Sequence, residues 1–529
     1  MNSPYTGNYT TSKIHSQIII LTIFVINGQY LSHYIQKFSK KPNYNKRNFT
    51  PLLDRGLWIQ FVFMKLSEIC RACCCKLKID IEIKRLVYDS RKAEEHSIFF
   101  AIKGHKTDGN KFVPELLKRY EHICVVSSKR FNDPRCIWVE DVRLCMGKMA
   151  SVFYNEPTKK LKLVGITGTN GKTTTTYLLN SIFENSEIIG TTGYTLRGER
   201  HNLKNTTPES VDLQNIFNTM VKNGVQYCFM EVSSHAITLK RIAGCNFAVK
   251  ALTNISQDHL DYYKTMENYV NAKLSFFTKS DRKAINRDEA YSISVIDSNT
   301  LTYGFDTTAD VYPIDYEYSI DGIRLRLSTP IGELSITSSL TGRYNIYNIM
   351  CATAIAILLN AEAKMIEEGI KTLKNVPGRL EFFEKNGIYA VVDYAHTDDA
   401  MKNVLSCLKD IKKGRLITVF GAGGDRDKGK RPKMGRVAQM LSDFFIITSD
   451  NPRSEDPQSI VNDILSGIKD NDNFIVELDR KKAIIKALDL AEPGDIVAVL
   501  GKGHEDYQIL GDTIIHFDDR EVIKEHWHI

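Results

Sequence analysis

The order of hydrophobic and polar positions along the chain predicts strands that alternate with helices. From about Leu86 onward, short apolar runs bounded by turn residues predict strands, and the amphipathic stretches between them predict helices. Such repeated alternation is typical of a mostly parallel α/β sheet. The predicted strands are residues 97–102, 123–127, 161–166, 226–232, 248–253, 388–393, 416–420, 444–448 and 495–500, and predicted helices include 112–120, 266–277 and 345–359.

Two interruptions of this pattern predict how the chain divides into domains. Residues 310–340 alternate strictly around two glycine turns, which predicts a small antiparallel meander. Turn-forming Asn155-Glu156-Pro157 and Val376-Pro377-Gly378 suggest boundaries. We therefore expect domains at residues 64–157, 158–375 and 376–529, preceded by an extension at residues 1–63.

Composition excludes several classes of protein. The chain has 529 residues, of which 43% are apolar and 25% charged, so it is neither disordered, collagen-like nor a coiled coil. No apolar run approaches the roughly 18 residues of a membrane-spanning helix. The 11 cysteines are scattered and odd in number, which favours reduced thiols and a cytoplasmic protein.

The net charge of +7 is concentrated at one end. Residues 1–63 contain seven Lys or Arg and one Asp, so the remaining chain is nearly neutral and no nucleic-acid partner is expected. We interpret residues 1–63 as a poorly ordered extension, with Met64 as a natural start. The cluster Cys70, Cys73, Cys74 and Cys75 lacks a second pair at zinc-finger spacing, which favours an incidental cluster over a metal site.

A glycine-rich loop predicts ATP binding. The residues Gly168, Thr169, Asn170, Gly171, Lys172, Thr173 and Thr174 lie between a predicted strand and a predicted helix. Glycines let backbone N–H groups surround phosphate oxygens at a helix N-terminus. Lys172 is predicted to contact the β- and γ-phosphates, and the Thr173 hydroxyl to bind Mg²⁺.

Polar side chains follow two further predicted strands. Glu231 ends one strand, and Asn254, Asp258, His259 and Asp261 follow the next. The carboxyl ends of parallel strands share one edge of a sheet, where ligands bind. Together with Lys273 on the following helix, these side chains predict a site for one or two Mg²⁺ ions.

These motifs resemble those of the Mur ligases, and within them the UDP-N-acetylmuramoyl-tripeptide synthetases of MurE type. The resemblance runs from about Met64 to the C-terminus. It rests on residues 168–174, 205–207, 231–235, 254–261, 273, 342–348, 377–379, 393–396, 421–431, 450–453 and 501–505. The resemblance implies three domains: one that binds UDP, a central P-loop ATPase and a Rossmann-like third domain that binds the amino acid.

The resemblance also implies roles for individual residues. Lys172, Glu231, His259 and Lys273 would be catalytic, and Thr173, Glu231, His259 and a carbamylated Lys273 would bind Mg²⁺. Ser90, His105, Lys106 and Thr107 would contact the uridine nucleotide, and Asn205, Thr206, Thr207, Ser233 and Arg241 would hold the muramoyl dipeptide. Arg426, Asp450, Asn451, Pro452, Arg453, Gly501 and Glu505 would bind the amino acid.

The implied reaction is ATP-dependent ligation through an acyl phosphate, within cytoplasmic peptidoglycan synthesis, which serves cell shape and division. A monomer is expected. Meso-diaminopimelate is the expected amino acid because Arg453 offers a guanidinium for its second carboxylate. Two alternative functions are the same ligation with L-lysine and a folylpolyglutamate or cyanophycin-type ligase. A motor or transport NTPase and a catalytically inactive relative are less favoured by the motifs.

The sequence departs from the family at two positions. Leu239 and Asp398 stand where the family often has Gln and Pro.

Overall fold

The structure is a computed structural model that describes residues 63–104, 107–469 and 473–529. The expectation of a poorly ordered extension therefore falls, except for Phe63, outside the described residues. The α/β fold with mostly parallel sheets is confirmed. Among the described residues, none of the helices combines the length and the apolar character needed to cross a lipid bilayer.

The amino-terminal region contains a small parallel sheet. Its elements are β1 (Met64–Lys65), α1 (Leu66–Cys70), β2 (Glu82–Ile83), β3 (Arg85–Val87), β4 (Ser97–Phe100), α2 (Val113–Arg119), β5 (Cys124–Ser127), β6 (Cys136–Trp138) and α3 (Val142–Phe153). Four parallel strands pair in the order β3-β4-β5-β6. The two middle strands are buried at every position, since apolar clusters cover both faces of the sheet.

An eight-stranded sheet forms the centre of the molecule. The elements are β7 (Lys162–Thr167), α4 (Lys172–Ile182), β8 (Ser186–Gly190), β9 (Gly193–Leu196), β10 (Glu199–His201), α5 (Ser210–Lys222), β11 (Tyr227–Glu231), α6 (Ser234–Thr238), β12 (Phe247–Leu252), α7 (Leu260–Tyr263), α8 (Met266–Leu274), β13 (Lys283–Asn286), β14 (Thr300–Tyr303), β15 (Tyr312–Ser319), β16 (Gly322–Ser328), β17 (Leu334–Ser338), α9 (Arg343–Leu358) and α10 (Ala363–Thr372). The order is β10-β9-β8-β11-β7-β12-β13-β14, with antiparallel pairing only at the β8–β9–β10 edge.

The central core depends on α9, whose apolar residues bury most of its surface. It packs with α4 against one face of the sheet, and β15–β17 form the predicted antiparallel meander beside it. In β16 every second residue is buried, which is the period of a strand with one face on the core. Helix α4 directly follows the glycine-rich loop. Because α4 is packed against α9 and the sheet, its N-terminus is held in place beside that loop.

The carboxy-terminal region contains a six-stranded sheet. Its elements are β18 (Glu381–Lys385), β19 (Ile388–Asp393), α11 (Asp398–Ile411), β20 (Leu416–Phe420), α12 (Arg431–Leu441), β21 (Phe444–Ile447), α13 (Pro457–Leu465), β22 (Phe474–Val476), α14 (Arg480–Leu490), β23 (Ile496–Leu500), β24 (Tyr507–Leu510), β25 (Thr513–His516) and α15 (Asp519–Trp527). The order is β18-β19-β23-β20-β21-β22, with only β18 antiparallel, and β24–β25 form a separate hairpin.

The strands of the three large sheets lie at residues 85–138, 162–303 and 381–500. The domain limits after residues 63, 157 and 375 stay predictions. In the central and carboxy-terminal sheets, the chemistry-bearing motifs follow the carboxyl ends of parallel strands. That edge is where open α/β sheets bind ligands.

Candidate active site

The glycine-rich loop has a backbone that only glycine adopts easily. Gly168 and Gly171 have φ of +147° and +86°. A Cβ at Gly168 would lie 1.9 Å from Thr253 Oγ1, and one at Gly171 would lie 2.3 Å from Asn348 Oδ1. The loop is held by Asn254, whose carbonyl accepts from Thr169 N at 2.8 Å and whose side chain accepts from Asn170 N at 2.9 Å.

Lys172 begins helix α4 and turns back over the loop. Its Nζ donates to the carbonyl oxygens of Gly168 at 2.9 Å and Thr169 at 2.8 Å. Burial lowers the pKa of this amine from its ordinary value. The helix N-terminus and the ammonium group together make this loop suitable for phosphate oxygens.

Glu231 lies at the end of β11 and is 1% exposed. Its Oε1 accepts hydrogen bonds from Thr173 Oγ1 and Thr191 N, both at 2.9 Å, and its Oε2 accepts from Thr191 Oγ1 at 2.9 Å. The carboxylate and the Thr173 hydroxyl therefore stand side by side. Thr191 was not among the predicted residues, since nothing in the Gly190-Thr191-Thr192 sequence distinguishes it from an ordinary turn.

The donor set fits Mg²⁺ better than a metal enclosed by protein. No three His, Cys, Asp or Glu side chains within the described ranges converge on one metal position. Mg²⁺ usually takes one or two protein oxygens and fills the remaining positions with phosphate and water. Glu231 and Thr173, hydrogen-bonded to each other beside the phosphate loop, supply such a pair.

Lys273 projects from α8 into the same region and is 1% exposed. Its Nζ donates to Gly168 O at 2.8 Å. Burial, and next the charge of Lys172, lower its pKa well below the ordinary value for lysine. A lowered pKa favours the neutral amine, which is the reactive form of lysine.

His259 stands next to Asp258 after β12. Its Nε2 lies 3.3 Å from Asp258 Oδ2, and its ring meets that of His235 edge-on at 4.8 Å. Burial lowers the pKa of His259 more than the carboxylate of Asp258 raises it. Glu231 thus ends β11 and His259 follows β12, the two strands that flank β7, and Lys273 lies on the next long helix. Their metal-binding roles stay predictions.

Arg379 reaches this cluster from the carboxy-terminal sheet. Its Nη2 donates to Thr173 Oγ1 at 3.1 Å, and its guanidinium lies 4.7 Å from the centre of the Tyr394 ring. Its Nε is buried without a partner. The Pro377-Gly378-Arg379 sequence belongs to the motifs that carry the family resemblance, yet nothing in its spacing indicated a role at the phosphate loop.

A cavity of about 840 Å³ opens between the two sheet edges. The central sheet contributes the phosphate loop, Glu231 and His259, and the carboxy-terminal sheet contributes Arg379 and His396. Both edges therefore face one space large enough for a nucleotide.

The residues predicted to hold the muramoyl dipeptide lie beside this cavity. Thr207 Oγ1 donates to Glu231 O at 2.8 Å, and Arg241 donates to Thr207 O at 3.1 Å. Thr206 and Ser233 line the cavity, and Ser233 also caps helix α6. Asn205 is exposed one residue before Thr206.

The predicted uridine-binding residues lie in the amino-terminal region. Ser90 begins a short 3-10 turn, Ser90–Lys92, capped by Asp89. Thr107 is exposed, and its carbonyl accepts from Gly104 N at 2.9 Å. His105 and Lys106 lie outside the described residues.

Two of the predicted amino-acid residues, Asn451 and Glu505, are hydrogen-bonded to each other at the edge of the carboxy-terminal sheet. Asn451 Nδ2 donates to Glu505 Oε2 at 2.9 Å, and Lys502 Nζ lies 3.3 Å from the same oxygen. Burial, and next Asp450, raise the pKa of Glu505. Gly501 has a φ of +116°, and a Cβ there would lie 2.7 Å from Asp450 Oδ2.

Arg453 is held close to this group by main-chain oxygens. Its Nη1 donates to Gly424 O at 2.8 Å and to Asn451 O at 3.3 Å, and Pro452 is buried before it. The neighbouring Glu455 pairs with Arg431 and Lys428 instead. Arg453 is therefore not occupied by a surface ion pair. Arg426 is exposed and donates to Asp425 O at 3.0 Å.

Two family models match the chain, the Mur ligase middle domain at residues 166–356 and the Mur ligase, glutamate ligase domain at residues 378–503. The UDP-N-acetylmuramoyl-L-alanyl-D-glutamate–2,6-diaminopimelate ligase 1 of Clostridium acetobutylicum is 41% identical over 84% of this chain and 95% of its own. The ligase of that name from Gloeobacter violaceus is 41% identical over 84% and 94%.

Solved structures agree with these matches. A UDP-N-acetylmuramoyl-L-alanyl-D-glutamate–2,6-diaminopimelate ligase superimposes with a TM-score of 0.64 at 31% identity, over 88% of this chain and 99% of its own. A folylpolyglutamate synthase of Mycobacterium tuberculosis superimposes with a TM-score of 0.57 at 16% identity, over 68% and 92%. The second likeness shows a shared fold alone.

Proposed function

The chain belongs to the Mur ligase family, and we propose that it is an ATP-dependent ligase that adds meso-diaminopimelate to UDP-N-acetylmuramoyl-L-alanyl-D-glutamate. The observation that carries this proposal is the cavity shared by two sheet edges, with a phosphate loop on one side and Arg379 and His396 on the other. Identity of 41% to ligases of this specificity supports the choice of substrates.

The substrate carboxylate is a poor electrophile, and ATP activates it as an acyl phosphate. Negative charge builds on the transferred phosphoryl group, and Lys172, the α4 N-terminus and Arg379 stabilise it by positive charge held in place before the reaction. The incoming amine then attacks the acyl carbon and phosphate leaves. Thr173 and Glu231 would hold a Mg²⁺ ion, which would supply further positive charge at the phosphates.

Lys273 has a distinct part in this proposal. Its neutral amine would add to CO₂ with loss of a proton and become a carbamate, so that a carboxylate-like group, which could hold a second Mg²⁺, would replace a repelling cation. His259 completes that side of the site. Its support is the buried position of Lys273, whose Nζ shares the Gly168 carbonyl with Lys172.

We assign the substrate contacts to the side chains beside the cavity and to those at the edge of the carboxy-terminal sheet. Thr206, Thr207, Ser233 and Arg241 hold the muramoyl dipeptide, with Ser90 and Thr107 toward the uridine. Asn451, Glu505 and Arg453 hold the amino acid, with Arg453 on its distant carboxylate. We propose a cytoplasmic monomer, since nucleotide-linked substrates and ATP are found there.

The test is phosphate release from ATP by the full chain with UDP-N-acetylmuramoyl-L-alanyl-D-glutamate and a panel of amino acids. We expect turnover with meso-diaminopimelate and little with L-lysine or L-glutamate. Preference for L-lysine would contradict the specificity while leaving the ligase proposal intact. Absence of phosphate release with every amino acid would contradict the ligase proposal.

A further inference from the structure

A buried ion pair adjoins the strand ends that carry the predicted amino-acid residues. Arg480 begins helix α14 and Asp519 begins helix α15, and both side chains are 0% exposed. Arg480 Nε donates to Asp519 Oδ1 and Arg480 Nη2 donates to Asp519 Oδ2, both at 2.7 Å. Two parallel bonds of this kind fix the plane of a guanidinium group. The Asp519 carboxylate therefore sets the direction of the remaining N–H groups of Arg480.

Those N–H groups contact two strand ends. Arg480 Nη2 donates to Leu500 O at 3.0 Å, and Arg480 Nη1 donates to Ser449 O at 3.4 Å. Leu500 is the last residue of β23, and Ser449 is the second residue after β21. The next residues along the chain are Gly501 and Asp450, with which the two amino-acid segments, residues 501–505 and 450–453, begin. One guanidinium group thus bonds to the start of both segments.

The two amino-acid segments meet each other closely. Gly501 has positive φ, and a Cβ there would lie 2.7 Å from Asp450 Oδ2. Asn451 Nδ2 donates to Glu505 Oε2 at 2.9 Å. In the sheet as described, β20 lies between β21 and β23, so the hydrogen bonds between strands do not join the two segments directly. Their spacing therefore depends on side chains, and Arg480 bonds to both.

Stability alone does not explain why charged side chains occupy this position. Taking two charges out of water is costly, and apolar side chains of similar volume often stabilise a fold as well as a buried ion pair does. Apolar side chains could not, however, donate hydrogen bonds to the carbonyl oxygens of Leu500 and Ser449. The feature that requires an arginine here is therefore the pair of bonds to the two strand ends.

We propose that Arg480, oriented by Asp519, is a positioning residue that holds the two amino-acid segments at the spacing needed to bind the amino acid. Arg480 is buried and acts on the substrate only through these segments. The identity of the ligand rests on the proposed function, which assigns Asn451, Glu505 and Arg453 to the amino acid. The bonds from Arg480 to the two strand ends do not depend on that assignment.

The test replaces both members of the ion pair. Arg480→Met alone would leave the Asp519 carboxylate buried without its partner and would destabilise the chain. The paired variant, Arg480→Met with Asp519→Leu, removes both charges and keeps a similar volume. Arg415→Met is the matched control, because it breaks an ion pair with Asp495 at 2.7 Å just before β20 and β23 begin, at the opposite ends of these strands.

Steady-state kinetics of the full chain separate positioning from stability. In the paired variant, the KM for meso-diaminopimelate should rise about tenfold or more, because two buried carbonyl groups lose their donor. The KM for ATP should stay within about twofold, since the phosphate loop is distant. Partial unfolding would lower kcat by reducing the amount of active enzyme, but it would leave the KM for the amino acid unchanged. Arg415→Met should keep each KM within about twofold, even where it lowers the melting temperature.

Amide hydrogen exchange, followed by mass spectrometry, measures the positioning without any substrate. In the paired variant, exchange should quicken at residues 450–453 and 501–505 and stay as in wild type at residues 168–174. Unchanged exchange in both segments, or an unchanged KM for the amino acid that the wild type uses, would overturn the positioning role. Quickened exchange in a chain whose wild type releases no phosphate with any amino acid would contradict the proposed function and support the positioning of the segments by Arg480.

Discussion

At the residue scale, the centre of the site brings two lysines to one acceptor. Lys172 Nζ and Lys273 Nζ donate to the same Gly168 carbonyl oxygen, at 2.9 Å and 2.8 Å. Two ammonium groups so close would repel each other in a buried region, and the pKa of each amine is lowered. Lys273, the more deeply buried of the two, is the one that the structure favours as a neutral amine.

The position of Lys273 beside Lys172 leads to a prediction about the activity of Lys273→Ala. The variant should lose nearly all ligase activity, because the proposed carbamate oxygens, which would bind Mg²⁺, are gone. Bicarbonate or a short carboxylic acid should restore part of the activity by replacing those oxygens, measured as phosphate release. Lys264→Ala, at an exposed lysine between α7 and α8, should behave like wild type. Full activity of Lys273→Ala without any additive would contradict the carbamate.

Arg453 gives a second prediction at this scale. Removing one partner of a buried charge pair in a binding site typically costs about 2–5 kcal/mol. Arg453→Ala should therefore raise the KM for meso-diaminopimelate by well over tenfold and leave the KM for ATP almost unchanged. Arg436→Ala, on the exposed side of α12, is the matched control. An unchanged KM for diaminopimelate in Arg453→Ala would remove this arginine from the specificity proposal.

At the element scale, the sequence predicted strands better than it predicted connections. The strand that precedes the phosphate loop was predicted within one residue, because a parallel strand between helices is apolar along its length. The hairpin between β18 and β19 was not predicted. Its signal was present, since Asn386-Gly387 takes positive φ at both positions, as a tight hairpin requires.

The loop between β21 and α13 gives a prediction about stability. Glu455 accepts from Arg431 on α12 at 2.8 Å, and this contact lowers the pKa of Glu455 from about 4.5 to about 2. Because the pKa is depressed in the folded state, the stabilisation is present above pH 4.5 and is lost as the pH falls toward 2. Arg431 is fully buried and would lose a charged partner.

Glu455→Gln should therefore lower the free energy of unfolding by about 1–3 kcal/mol at pH 7, measured by urea denaturation. The difference from wild type should shrink as the pH falls below 4.5. Glu267→Gln, at an exposed carboxylate of α8, should have little effect. A difference that stays constant from pH 7 to pH 3 would show that the charge of Glu455 is not what stabilises the loop.

At the scale of the whole molecule, the site exists because two sheets present their carboxyl edges to one cavity. Asn170 Nδ2 donates to Asp399 Oδ2 at 3.1 Å, and Lys433 Nζ donates to Gln257 Oε1 at 3.0 Å, so several contacts join these edges. The sequence could predict each edge by its motifs. It could not predict which residues meet across the cavity, because that depends on packing between elements distant along the chain.

Substitution of Arg379 tests whether the contact between the two sheet edges is needed for catalysis. Arg379→Ala should lower kcat by at least tenfold, because the guanidinium bonded to Thr173 couples the carboxy-terminal sheet to the phosphate loop. The melting temperature should change little, since in the described part of the chain Arg379 forms no ion pair whose carboxylate would be left without a partner. Arg379→Lys should recover only part of the activity because lysine lacks the planar guanidinium. Normal kcat in Arg379→Ala would contradict this coupling.

The last prediction concerns a chain that begins at Met64. The described fold begins there, since β1 pairs with β2 through Met64 and Ile83. Both family models and every residue of the proposed site lie beyond it. Phe63, the one described residue that would be lost, meets the His96 ring at 6.2 Å and Lys84 at 4.9 Å. The shortened chain should therefore keep kcat and both KM values within about twofold of the full chain.

A chain that begins at Lys76 is the matched control for this truncation. It lacks β1 and α1, and with them Leu66 and Ile69, which are fully buried. Losing two such side chains removes several kcal/mol of burial, so this chain should be unstable or insoluble. Insolubility or a tenfold loss of activity already in the chain that begins at Met64 would instead give residues 1–63 a part in folding or catalysis.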